Sequence, residues 1–144
     1  MMPAGAPASR MRRVAACAAA LVSLMSVSAF AQEPVVEQWY AALATADRGK
    51  FESLLADDAK IRLIDLGVEQ TKAEFVDSLD EWEAAMAGAT IRHRIEKTAG
   101  AVTTVIACYH FPANDVLLRE TFLVEAGLIR ENIQVEIAES CEAY

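Results

Sequence analysis

The chain is poor in the residues that usually carry site chemistry. It holds two histidines and three cysteines among 144 residues. No cysteine spacing matches a zinc pattern. A phosphate-cradling glycine loop, a nucleophile elbow and a Ser-His-Asp arrangement are also missing. No metal and no cofactor is therefore expected. Positive charge is scarce as well: 13 Lys and Arg stand against 21 Asp and Glu, a net charge of −8. Such a chain should repel nucleic acid and anionic lipid, which bind basic patches. There is no internal repeat and no low-complexity tract, which argues against a solenoid and against extended disorder.

Three of the few basic residues, Arg10, Arg12 and Arg13, stand together near the start. A charge-free run from Val14 to Val27 follows, and Ala29-Phe30-Ala31 supplies small residues at the positions a signal peptidase reads. Residues 1–31 are expected to be a cleaved secretory signal. The apolar run, roughly 14 residues, is too short for a bilayer, which needs about 20. Val14-Ala15-Ala16-Cys17 is no lipoprotein box, because the apolar run lies after Cys17 rather than before it.

Cleavage would leave Gln32 as the first residue and 32–144 as a single domain, long enough for its own core. Ten basic residues would remain against 21 acidic ones, so the net charge becomes −11. No later segment reads as a membrane span, so the product is expected in the periplasm or outside the cell, free of the membrane. An oxidising compartment permits a disulfide between Cys108 and Cys141. The alternative is a buried thiol at Cys108 and a frayed tail at Cys141, and sequence spacing does not choose between them.

Pro34 suits a first helical turn, and Val36, Trp39, Tyr40 and Leu43 recur at helical spacing. Lys50 to Leu55 reads as a second short helix, and Ile61 to Leu66 as a strand closed by Gly67. Thr71-Lys72-Ala73-Glu74 is a capping box. Behind it Phe75, Leu79, Trp82 and Met86 form one apolar helical face that stops at Gly88. Four strand-like runs follow: Thr90 to Lys97, Ala101 to Phe111, Val116 to Glu125 and Leu128 to Ile137. Turn signals separate them, Ala126-Gly127 among these. Helices first and consecutive strands later predict an α+β fold with N-terminal helices packed on one face of an antiparallel sheet.

Trp39-Tyr40-Ala41-Ala42-Leu43, then Phe51 through Ala59 with its Ala56-Asp57-Asp58-Ala59 ending, and finally Glu125-Ala126-Gly127-Leu128-Ile129, occur in an order that resembles the nuclear transport factor 2-like superfamily. That superfamily includes steroid Δ-isomerases and SnoaL-like polyketide cyclases. The resemblance spans residues 32–144. It implies a curved sheet wrapped by helices into a cone with an internal pocket, and a homodimer through the outer sheet face. Apolar residues on both faces of the last three strands, such as Leu117 with Leu118, agree with such a dimer.

Steroid isomerases carry a Tyr on the first helix, a general-base Asp on the first strand and a protonated Asp on a later strand. An ungapped comparison places Trp39, Leu63 and Arg119 there, with Tyr40, Asp65 and Glu120 one, two and one residues away. The isomerase set is thus not reproduced. His93 shares a strand face with Ile91 and Ile95, where an imidazole can exchange protons near neutral pH. His93 and Asp65 are the candidate proton-transfer pair. Trp39, Tyr40, Leu63, Trp82, His110, Arg119 and Glu120 are the candidate pocket residues. Arg119 and Glu120 point to opposite faces, and the pattern does not say which faces inward. Helical spacing also explains Trp39 and Trp82 as plain core, and His110 beside Pro112 suits a rim position.

Three readings follow. The first is an exported module binding a small, largely apolar or polycyclic molecule. The second is a cofactor-independent isomerase, lyase or cyclase. The third is an interaction protein that acts through a sheet face.

Overall fold

A computed structural model describes residues 28–144, with side chains from residue 32 onward. The charged and apolar parts of the expected signal segment lie outside the described residues. Helix α1 (Ser28–Thr45) runs across the expected cleavage point after Ala31. It leads into α2 (Arg48–Leu54), whose start is capped by the Asp47 carboxylate accepting from Lys50 N at 2.9 Å. Next come β1 (Leu55–Leu63), a 3-10 turn (Ile64–Leu66) and β2 (Val68–Thr71). Helices α3 (Lys72–Asp77) and α4 (Leu79–Ala85) precede the long strands β3 (Thr90–Ala99), β4 (Val102–His110), β5 (Asp115–Glu125) and β6 (Leu128–Ala138).

The six strands form one sheet in the order β2-β1-β6-β5-β4-β3. The expected antiparallel meander is present from β3 to β6. The sheet as a whole is mixed, because β1 pairs with β6 in parallel. The chain returns from the meander to lie beside its first strand, and that closure brings β1 and β2 into the wall of a cone. The capping box forms as expected, with Thr71 N donating to Glu74 Oε2 at 2.8 Å and Glu74 N donating to Thr71 Oγ1 at 3.3 Å. The single helix expected behind it is two, broken at Ser78. There the Ser78 hydroxyl donates to Phe75 O at 2.7 Å, a local bond that competes with helix continuation. In the β5–β6 turn both Ala126 (φ 51°) and Gly127 (φ 77°) are left-handed, the demand of a tight hairpin that matches strand twist.

The core lies between the helices and the concave sheet face. Trp39, fully buried, is its centre. Its ring stacks on Phe75 at 5.3 Å and meets Phe51 and Phe122 edge-on at 5.0 and 5.5 Å. In α1, Gln32 Nε2 donates to Gly100 O at 2.7 Å and its Oε1 accepts from Thr103 Oγ1 at 2.8 Å. These bonds tie α1 to the β3–β4 hairpin.

The convex face has its own small core. Ile106, Cys108 and Leu117 are buried there against Ala138, Cys141 and Tyr144. Cys108 and Cys141 form a disulfide, with Cα atoms 5.7 Å apart. The C-terminal tail thus folds back over the outer face instead of fraying. Arg92 lies over the Tyr144 ring at 4.5 Å.

Candidate functional site: a cavity over a buried carboxyl

A cavity of about 600 Å³ opens between α3–α4 and the concave sheet. Leu63, Phe75, Leu79, Trp82, Phe111 and Leu118 make up much of its wall. The helices reach it because their apolar faces recur at the spacing that also places Trp82 inward. The strands reach it through period-two alternation. Across the concave face one row runs Val105, Glu120, Gln134, Leu63 on four neighbouring strands. The cavity volume is within the usual range for small-molecule sites.

Beneath the wall lies Glu120, wholly buried. Its Oε1 accepts from the Tyr109 hydroxyl at 2.5 Å and its Oε2 accepts from Asn132 Nδ2 at 3.3 Å. Gln134 Nε2 in turn donates to Asn132 Oδ1 at 2.8 Å. Burial pushes the Glu120 carboxyl up to about 7, although the bonds from Tyr109 and Asn132 pull the other way. Burial, followed by the nearby Glu120 charge, pushes the Tyr109 and Tyr40 phenols well above their usual range. Both therefore stay protonated at neutral pH. Tyr40's hydroxyl approaches the same carboxyl but has no partner in hydrogen-bond geometry among the described residues.

The candidate residues are not all brought to the cavity. Leu63, Asp65 and Trp82 line the cavity. Asp65 sits in the 3-10 turn and its Oδ2 accepts from Glu136 N at 2.6 Å. Trp39, Tyr40 and Glu120 are buried behind the wall. His93 faces the concave side but meets α1: its ring stacks on Tyr40 at 4.0 Å and its Nε2 is 2.9 Å from Glu37 Oε1. Three strands separate β1, which leads to Asp65, from β3, which carries His93, so the two are not brought together. Arg119 is on the outer face, paired with Glu96 at 3.2 Å, and Glu120 is the inward member of that couple. His110 is exposed and bonds Asp115.

Sequence reasoning misses Tyr109, Asn132 and Gln134. Alternation places Tyr109 opposite His110, but a strand apolar on both faces does not reveal which side is inward. The alternation Asn132, Gln134, Glu136 is the available signal for a polar row on the concave face. Among the described residues no group of three or more His, Cys, Asp or Glu could hold a metal ion. No helix among them is long and apolar enough to cross a membrane.

No family model matches the chain, and no curated protein matches it. Solved structures do. A candidate ketosteroid isomerase from Kribbella flavida superposes with a TM-score of 0.66 at 14% identity, covering 77% of this chain and 81% of the other. An NTF-2 like protein of unknown function from Burkholderia xenovorans gives 0.65 at 15%, covering 81% and 90%. IdmH, a candidate polyketide cyclase from Streptomyces antibioticus, gives 0.60 at 16%, covering 73% and 91%. The chain has the nuclear transport factor 2-like fold: helices closed over a curved sheet around a pocket. At these identities the likeness speaks for the fold alone, and function rests on the site.

Proposed function

We propose that this chain is an exported domain that binds a small, largely apolar molecule in the cavity. The observation that carries the reading is the cavity itself: about 600 Å³ with an apolar and aromatic wall, closed at its floor by Tyr109 over a buried acid. An apolar wall left without a filling forfeits packing energy that a bound apolar molecule would restore. Export is supported by the Arg10–Ala31 pattern and by a disulfide, which persists in oxidising compartments. A homodimer through the outer face has the half-exposed Val135 in its favour, next to the area that the tail leaves open. The binding reading is tested by titrating the neutral fluorophore N-phenyl-naphthylamine into the wild type and into Leu118→Trp, which fills the wall. Saturable binding, weakened about tenfold or more in the variant, is expected. Equal binding to both would overturn the assignment.

A second reading, cofactor-independent proton transfer, is favoured by one feature. Asp65 lines the cavity while the Glu120 carboxyl, titrating near 7, backs the Tyr109 hydroxyl at its floor. Two carboxyls with environments this different are the arrangement general acid–base chemistry uses. His93, in contact with α1, would act on this site only through Tyr40.

A further inference from the structure

The cavity wall has directed its hydrogen-bond donors into the protein. The Tyr109 hydroxyl donates to Glu120 and Gln134 Nε2 donates to Asn132. Trp82 Nε1 donates to Leu43 O at 2.8 Å, and the Ser78 hydroxyl donates to Phe75 O at 2.7 Å. The first two bonds belong to one chain that runs from Gln134 through Asn132 to Glu120, where Tyr109 also ends. In its ionised form the buried carboxyl at the end of the chain fixes the sense of every bond in it, because a carboxylate accepts from both sides. Tyr109 and Gln134 are left to offer the cavity mainly lone pairs. Beyond these bonds, the side-chain donors left among the described lining residues are the Gln70 amide and the second Gln134 hydrogen.

The charged part of the lining agrees with this. Asp65, Glu81 and Glu136 are exposed members of it and so stand at its rim. None of the three is in an ion pair among the described residues, and no Lys or Arg lines the cavity. Asp65 and Glu136 are held together by the bond between the Asp65 carboxylate and Glu136 N. Trp82, Tyr109 and Phe111 line the same space, and aromatic rings favour cations.

Resting on the binding reading above, we infer that the ligand is a hydrophobic amine: an apolar body in the cavity and a protonated amino group at the rim, beside Asp65 and Glu136. A carboxylate ligand of the same shape would meet three like charges and no cation, while a neutral alcohol would gain neither attraction nor repulsion. Each rim carboxylate is solvated, so its contribution is modest, and the selectivity is the sum of several.

The probes are phenylbutylamine, phenylbutanol and phenylbutanoate, which share one apolar body. Their affinities for the purified protein, disulfide intact, are measured by calorimetry at neutral pH. The amine should bind roughly tenfold tighter than the alcohol, and the carboxylate more weakly than both. In Asp65→Asn/Glu136→Gln the ratio of amine to alcohol affinity should fall toward one. The amide that replaces the Asp65 carboxylate keeps an oxygen to accept from Glu136 N, so the turn is retained. Amine and alcohol binding equally to the wild type would overturn the inference and leave the cavity reading standing. An amine preference undiminished in the double variant would also overturn it, by showing that the protein's overall charge is responsible. Failure of all three probes to bind would remove both the inference and the reading beneath it.

Discussion

Neighbouring residues on β4 and β5 serve two different regions. Val105, Ala107 and Tyr109 point to the concave side, where they meet helices and an open cavity; Ile106 and Cys108 point to the convex side, where they meet the chain's own tail. The concave region directs its polar groups to one buried acid and keeps a void. The convex region has a disulfide, a cation over an aromatic ring and a surface ion pair, Arg119 with Glu96, and is filled where the tail lies. Apolar residues on both faces of a strand are usually read as a sign of association. Here part of that second face is covered from within the same chain, so the two sides can be perturbed separately.

The largest effect should come from the concave side. Trp39→Ala would remove a fully buried indole that touches three other aromatic rings. A loss of about 3–5 kcal/mol is expected, a large share of any small domain's stability. Urea unfolding followed by circular dichroism would measure it. A loss under about 1 kcal/mol would mean that the aromatic cluster is not the centre of the core.

Cutting the convex side should cost less and leave the cavity intact. Cys141→Ser opens a disulfide that spans 33 residues, and about 2–4 kcal/mol is expected from the freed chain. Hydrogen exchange should rise at Ile106 and Leu117, while probe affinity in the cavity stays unchanged. A matching loss of affinity would show that the two faces are coupled through β4.

Glu120 gives the concave side a pH dependence. Its folded carboxyl titrates at about 7 against an ordinary value of 4.5. The folded state therefore holds this proton more tightly than the unfolded state does. Stability should be highest near and below 4.5 as far as this group is concerned, and fall as pH rises through about 7. The fall is of the order of a few kcal/mol. Glu120→Gln should flatten that slope in denaturant midpoints taken across the window, although its new amide donors would face Asn132 Nδ2. An unchanged slope would assign the pH dependence to other groups.

The element order was legible because each helix and strand carries its own period, and because capping and turn residues mark their ends. Parallel pairing of β1 with β6 was not, since register between distant strands leaves no local signal. Strand β2 is four residues with three polar side chains, and it is held by Arg62 and Lys60 reaching Glu69 at 2.8 and 3.1 Å. No apolar alternation announces it. In the site, Tyr40 and Glu120 were near their family counterparts by position. The Glu120 partner Tyr109 stayed hidden because β4 is buried on both faces. For His93 the face was readable from Ile91 and Ile95, but the neighbour on that face, helix α1 and not the cavity, depended on how the sheet curves.

The smallest effect separates the tail's covalent anchor from its contacts. Tyr144 is the last residue, and Arg92 and Arg94 lie 4.5 and 5.7 Å from its ring centre. Such contacts at partly solvated sites are worth about 0.5–1 kcal/mol. With the disulfide intact, Tyr144→Ala removes both contacts and the ring's packing on the convex core but leaves the tail tethered at Cys141, so global stability should shift by about 1–2 kcal/mol. Local opening responds more sensitively than global unfolding, because the tail need open only itself. Reduction of Cys108–Cys141 by a small thiol should therefore become several-fold faster in Tyr144→Ala, through easier access to the sulfurs beneath. Arg92→Lys, which keeps the charge but loses the planar guanidinium, should fall between wild type and Tyr144→Ala. If reduction rates are the same in all three proteins, the arginine–tyrosine contact plays no part in closing the convex face, and the disulfide with Ile106 and Leu117 holds the tail alone.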